Sequence, residues 1–214
     1  MITFEYEGKG YRMTEEWEEM TLRQFIRMNK IQESNSILNV GEELLTQQLL
    51  ECLCDADTGE FDDMSFGIAT DLLPHLYKII EKSKEYNEQD FTSFGTDVWV
   101  IDGKEYSYHK DPNLYTLGEV SDIKTYINNK QNEWDYLADI AAVMIRPATK
   151  LTTEAGTEYY KLTKRTPFDF EPNKKVVLGM RLKDVTRVLR FFLTGLTEQS
   201  NDTKNYLQVK VEAK

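Results

Sequence analysis

The residues with most chemical promise are an acidic run, two cysteines and two histidines, and each set stops short of a site at its own spacing. Asp55-Ala56-Asp57-Thr58-Gly59-Glu60 invites comparison with a calcium loop. Such a loop places oxygens at positions one, three and five, glycine at six and a bidentate Glu at twelve. Here the fifth residue is Gly59, the sixth Glu60 and the twelfth Phe66. An acidic turn capping the next helix through Asp62 or Asp63 is the simpler reading, because carboxylates accept the free N–H groups of a helix start and offset its dipole. Cys52 and Cys54 have no second Cys or His pair with which to complete a zinc site, so they read as core or half-buried thiols in a reducing compartment. His75 and His109 lie in different parts of the chain, each without a neighbouring ligand, and read as surface or half-buried imidazoles.

No nucleophile elbow, zinc-protease helix, phosphate loop or dinucleotide fingerprint occurs. The run Glu15-Glu16-Trp17-Glu18-Glu19 precedes a helix start, where carboxylates compensate a dipole and face water. The expectation is a protein that is not an enzyme, with no catalytic, cofactor-binding or metal-binding residues.

Bulk charge narrows the classes further. With 26 Lys and Arg against 37 Asp and Glu, the net charge is -11, the wrong sign for a coat of nucleic acid or a polybasic membrane binder. At 40% hydrophobic and 12% aromatic, the 214 residues are apolar enough to fold. The opening alternates apolar and polar residues rather than forming a secretory leader. No run approaches the ~18 apolar residues of a membrane span.

The elements follow from an internal echo. Glu7-Gly8-Lys9-Gly10-Tyr11 reappears as Asp102-Gly103-Lys104-Glu105-Tyr106, and Thr21-Leu22 as Thr116-Leu117, at one offset of 95. Each stretch alternates apolar residues about a glycine turn, the mark of a β-hairpin whose central residues reach positive φ. Thr21-x-x-Gln24 and Thr116-x-x-Glu119 then fit the capping box, in which Thr accepts the third helical N–H and Gln or Glu reaches back.

The pattern continues with helices over 22–30 and 42–53, then over 117–129 and 133–145, and a long helix closes each copy over 65–86 and 178–199. Arg146 to Pro172 reads as a loop that holds a second small hairpin around Ala155-Gly156. The fold class is therefore α+β, mostly α: two tandem repeats, each a β-hairpin followed by about three helices. The first spans 1–90 and the enlarged second 91–204, with an extended C-terminal arm over 205–214.

The second half carries a basic streak against an acidic first half. Lys174, Lys175, Arg181 and Arg187 are its candidate interface cations, with Trp17 and the arm residues Tyr206, Leu207, Val209 and Val211 as candidate apolar contacts. Acidic-to-basic contact between identical subunits is the head-to-tail geometry that closes rings. An alternating arm suits capture by strand addition to a neighbour.

The segments from Trp17 to Phe25 and from Tyr115 to Glu119, then Leu137-Ala138-Asp139-Ile140-Ala141-Ala142-Val143-Met144-Ile145-Arg146-Pro147 and Phe191-Phe192-Leu193, resemble structural and tail-assembly proteins of tailed bacteriophages. There a hairpin leads into a W-x-x-x-T-L-x-Q/E helix start, an A-x-x-x-R-P helix end follows, and an F-F helix closes the unit. The resemblance implies a non-enzymatic virion protein of the tail, neck or connector. It would associate with other phage structural proteins and with itself, as in a ring, without cofactor or membrane, in the virion and, during assembly, in the host cytoplasm. Two alternatives stand beside it: a tail-assembly chaperone absent from the mature virion, and a nucleic-acid-associated or enzymatic phage factor using the basic second half.

Overall fold

A computed structural model describes residues 1–38, 41–86, 97–128 and 135–189. The chain divides into two compact units, Met1–Ser93 with Leu178–Lys183, and Phe94–Val177 with Asp184–Lys214.

The first unit opens with β1 (Ile2–Tyr6) and β2 (Lys9–Met13), an antiparallel pair in which Ile2 faces Met13 and Phe4 faces Tyr11. The turn needs two left-handed residues, Glu7 at φ 49° and Gly8 at φ 74°. The strand aromatics close on Phe61, whose ring lies edge-on to Tyr11 at 5.0 Å and to Tyr6 at 5.6 Å. A 3-10 turn at Trp17–Glu19 leads to α1 (Leu22–Leu38), α2 (Glu42–Leu53) and α3 (Phe66–Tyr86).

Helix α1 runs two turns past the expected end near Lys30, because no Gly or Pro interrupts it before Gly41. On α2 the buried residues are Leu49 to Leu53, while Leu44 is 43% exposed. Leu72, Leu76 and Ile79 recur at helical spacing on α3 and are buried.

The unit also takes in chain from far along the sequence. Leu22 N–H donates to Met180 O at 2.9 Å, Leu182 N–H donates to Met20 O at 2.7 Å, and Thr21 pairs antiparallel with Arg181.

The second unit is built on a four-stranded antiparallel sheet in the order β3 (Val98–Ile101), β4 (Lys104–Ser107), β5 (Arg146–Thr152), β6 (Glu158–Leu162). Its first turn repeats the left-handed pair, with Asp102 at φ 49° and Gly103 at φ 73°. Between β4 and β5 come a 3-10 turn at Pro112–Leu114, α4 (Leu117–Asn128) and α5 (Asp135–Met144). Every residue from Ile140 to Ile145 is buried, so the end of α5 is apolar all round, as a core helix must be. After β6, Thr166 and Asp169 form a capping box at Pro167–Asp169 and lead into α6 (Phe170–Gly179).

Two expectations are corrected here. Residues 146–172 hold the expected hairpin around Ala155-Gly156 as β5 and β6, but not the expected loop about it: Arg146 and Pro147 extend β5 onto the sheet edge offered by Ser107 and Tyr106, and a 3-10 turn and the start of α6 follow. The expected helix from Leu178 is interrupted: α6 ends at Gly179, Arg181 joins the antiparallel bridge, and a helix resumes over 182–189. The closing Phe191-Phe192-Leu193 segment, the 205–214 arm and the boundary at 90–91 lie outside the described residues. Among the described residues no helix is long and apolar enough to cross a membrane.

Candidate functional site

Each unit has a joint where hairpin, capping box and second helix meet. In the first unit Thr21 Oγ1 accepts from Gln24 N–H at 3.2 Å, and Gln24 Oε1 accepts from Thr21 N–H at 3.0 Å. Gln24 is 3% exposed and reaches further. Its Nε2 donates to Leu53 O at 3.0 Å, the carbonyl that also accepts Thr14 N–H at 3.1 Å. One side chain thus ties the start of α1 to the end of α2 and the exit of the hairpin.

The second unit makes the same reciprocal cap with Thr116 and Glu119, at 2.8 and 3.3 Å. The charge on Glu119 changes what it reaches. Its Oε1 meets the Arg146 guanidinium at 2.6 Å, with both side chains almost fully buried, directly after the end of α5. Arg146 Nη2 lies 3.4 Å from His109 Nε2. Burial, then the Arg146 charge, push the His109 imidazole below its ordinary range, which keeps Nε2 free to accept from the guanidinium. Tyr115 closes the cluster edge-on to His109 at 5.1 Å.

A cavity of about 440 Å³ opens beside this cluster, lined by Glu119, Asp122, Arg146, Lys164 and Arg165 among others. Its carboxylates are engaged, Glu119 by Arg146 and Asp122 by Arg165 at 2.5 Å. The arrangement serves as a strut: its charged oxygens are occupied by cations and caps, and the imidazole is held against an arginine.

The acidic turn that resembled a calcium loop is organised from within by Glu51, which is wholly buried. Its Oε1 accepts from Gln47 Nε2 and Gly59 N–H at 3.0 Å each and from Phe61 N–H at 3.2 Å, while Arg27 approaches Oε2 at 3.7 Å. Glu60 turns outward to Lys9 and Tyr11. The expected cap by Asp62 or Asp63 is replaced by Ser65, whose Oγ accepts from Ile68 N–H at 3.4 Å, one residue before α3. Asp62 is used by Gln47 instead. Among the described residues no group of three or more His, Cys, Asp or Glu could hold a metal ion.

Both thiols sit in the first unit, Cys52 fully buried and donating to Gln24 O at 3.2 Å, Cys54 half-buried. Burial pushes each up to about 12.

The candidate interface residues separate. Trp17 is 2% exposed and lies edge-on to Phe25 at 5.8 Å, so it is a core residue whose surface no partner can reach. Lys174 pairs with Asp139 at 2.6 Å and Arg187 with Asp97 at 3.3 Å. Lys175 and Arg181 are exposed. Tyr206, Leu207, Val209 and Val211 lie outside the described residues. The charge asymmetry is carried by the acidic side: the first unit has 20 acidic and 10 basic residues, the second 17 and 16.

Sequence reasoning passed over Glu51 and Arg146 as site residues. The signal for Glu51 was a lone carboxylate amid Leu49, Leu50, Cys52 and Leu53, where burial demands partners. For Arg146 it was a cation closing an apolar run, in reach of a cap carboxylate.

The first unit also has a groove of about 610 Å³ between α2 and α3, walled by Leu44, Leu50, Met64, Phe66, Leu73 and Tyr77 and rimmed by Glu42, Glu43 and Asp62. No family model, curated protein or solved structure matches this chain.

Proposed function

We propose that the protein is a non-enzymatic structural protein of a tailed bacteriophage particle, in the tail, neck or connector region, acting by protein–protein association. In this reading the chain is two tandem hairpin-plus-helices repeats, over 1–90 and 91–204. In support, the left-handed turn, the 3-10 turn and the reciprocal cap recur at the offset of 95. The residues behind the phage resemblance, Thr21, Gln24, Thr116, Glu119 and Arg146, are the ones that close the joints.

The observation that carries association is a set of large apolar side chains presented to water while nearby carboxylates are internally bonded. Leu117 is 91% exposed, Phe168 90%, Phe66 79% and Val100 70%. Contiguous apolar surface marks contact sites for other proteins, and Phe66 belongs to such a surface, lining one groove with Leu44 and Tyr77. Partners are other phage structural proteins and copies of this chain. Acidic-to-basic docking contributes less than the sequence led one to expect, because Lys174 and Arg187 are already paired.

The experiment is mass spectrometry of purified particles, with copy number, beside sedimentation of the isolated protein. A fixed copy number in particles is expected. Absence from particles, together with a monomer at high concentration, sinks the virion reading. A second reading, an assembly chaperone that leaves before completion, draws on the acidic apolar groove of the first unit; it predicts presence in infected cytoplasm and absence from particles.

A further inference from the structure

We infer that the groove between α2 and α3 is a docking site for one amphipathic helix of a partner protein, apolar on one face and flanked by Lys or Arg. The shape argues for a helix. Along α3 the wall is built by Phe66, Ala69, Leu73 and Tyr77, and along α2 by Leu44, Gln47 and Leu50, so each wall is a stripe at helical spacing. From Phe66 to Tyr77 that stripe runs about 16 Å at 1.5 Å per residue, long enough for anchors at i, i+3 or i+4, and i+7 of a guest helix.

The lining argues for apolar anchors. Phe66 is 79% exposed, Tyr77 48% and Leu44 43%, and Met64 supplies an adaptable wall. Glu42 and Glu43 also compensate the dipole of α2, but that role leaves unexplained why Leu44 beside them faces water.

Charge complementarity chooses the partner. Among the described residues the lining contains three carboxylates, Glu42, Glu43 and Asp62, and no Lys or Arg. The unit around it carries twice as many acidic as basic residues. An acidic helix or an anionic lipid surface is repelled there, and a cationic helix is steered in. The inference deepens the association reading by naming the partner's chemistry. Particle mass spectrometry decides that reading without reference to the groove.

The test uses the full chain and a fluorescent helical peptide of Leu and Lys, with Leu at the i, i+3, i+4 and i+7 spacing, read by anisotropy. A Leu and Glu peptide of the same pattern is the control. Ala69→Trp fills the groove without changing charge, and is expected to weaken the Leu/Lys peptide at least tenfold while the control peptide stays unbound. If Ala69→Trp does not fold, Leu44→Asp at an already exposed position replaces it; binding should fall even though the new charge attracts the peptide. Equal binding to wild type and groove variant, or no binding at all, overturns the inference. So does a self-associated wild type that Leu44→Asp turns monomeric, since a second copy then covers the groove, and so does Leu44-dependent flotation with anionic vesicles.

Discussion

The Arg146 guanidinium and the Glu119 carboxylate meet at 2.6 Å with side chains only 5% and 6% exposed, and the same carboxylate caps α4. An ion pair this dry has little net value over a well-packed apolar pair, but breaking it strands a buried charge. Arg146→Met or Glu119→Gln alone is expected to cost about 3–5 kcal/mol. The double variant should cost less than either, because Gln fills the capping role as Gln24 does in the first unit. Urea unfolding of the four proteins checks it; additive losses would show that the two side chains act separately.

The caps should be worth the same in both units. Thr21→Ala and Thr116→Ala are each expected to lose about 1 kcal/mol, and the Ser variants to keep most of it. Thermal melts decide; an unchanged midpoint in either Ala variant means that Gln24 or Glu119 holds its helix start without help.

Acid should loosen the hairpin and its flank. Hydrogen bonds from Lys9, then Tyr11 and the Asp57 N–H, hold Glu60 at about 2, and Lys78 with Lys82 hold Glu16 at about 2. Both carboxyls are depressed, so between 4.5 and 2 the unfolded chain binds more protons than the folded one. Their stabilisation is complete above pH 4.5 and drains as pH falls toward 2. Urea midpoints measured across that window should decline, and less steeply in Glu60→Gln. A parallel decline would assign the acid sensitivity to other groups.

The thiols should be silent in the folded protein. With Cys52 and Cys54 both pushed up to about 12 by burial, neither offers appreciable thiolate at pH 8, and alkylation by iodoacetamide should wait for unfolding. Rapid native labelling of Cys52 would mean that the joint around Gln24 opens readily.

Local chemistry made much of this fold readable. Asp102-Gly103 between alternating residues favours a left-handed turn, Thr with Gln or Glu three residues on favours a helix start, and Pro147 opposes the continuation of α5. What escaped reading depends on partners distant in sequence. Arg146 to Thr152 is polar and contains a proline; its far end pairs locally with β6, but Arg146 and Pro147 enter the strand through Tyr106 and Ser107, some forty residues earlier, which present an edge. Glu51 announces itself as an apolar-face anomaly, but only Gln47 of its three donors is a helical neighbour; the other two, Gly59 N–H and Phe61 N–H, come from a loop with no pattern of its own. Leu178 onward reads as one continuous helix, and the bonds of Met180 and Leu182 to Leu22 and Met20 overrule it.

That last pairing has a consequence for synthesis. The first unit cannot be completed from its own stretch of chain, since the hydrogen bonds flanking Thr21 wait for residues 180–182. On a ribosome Leu22 N–H and Met20 O must therefore wait for their partners until residues 180–182 have emerged, whereas the Thr21–Gln24 cap draws only on nearby chain. A nascent chain halted after residue 93 would expose an unfinished edge at Met20 to Leu22.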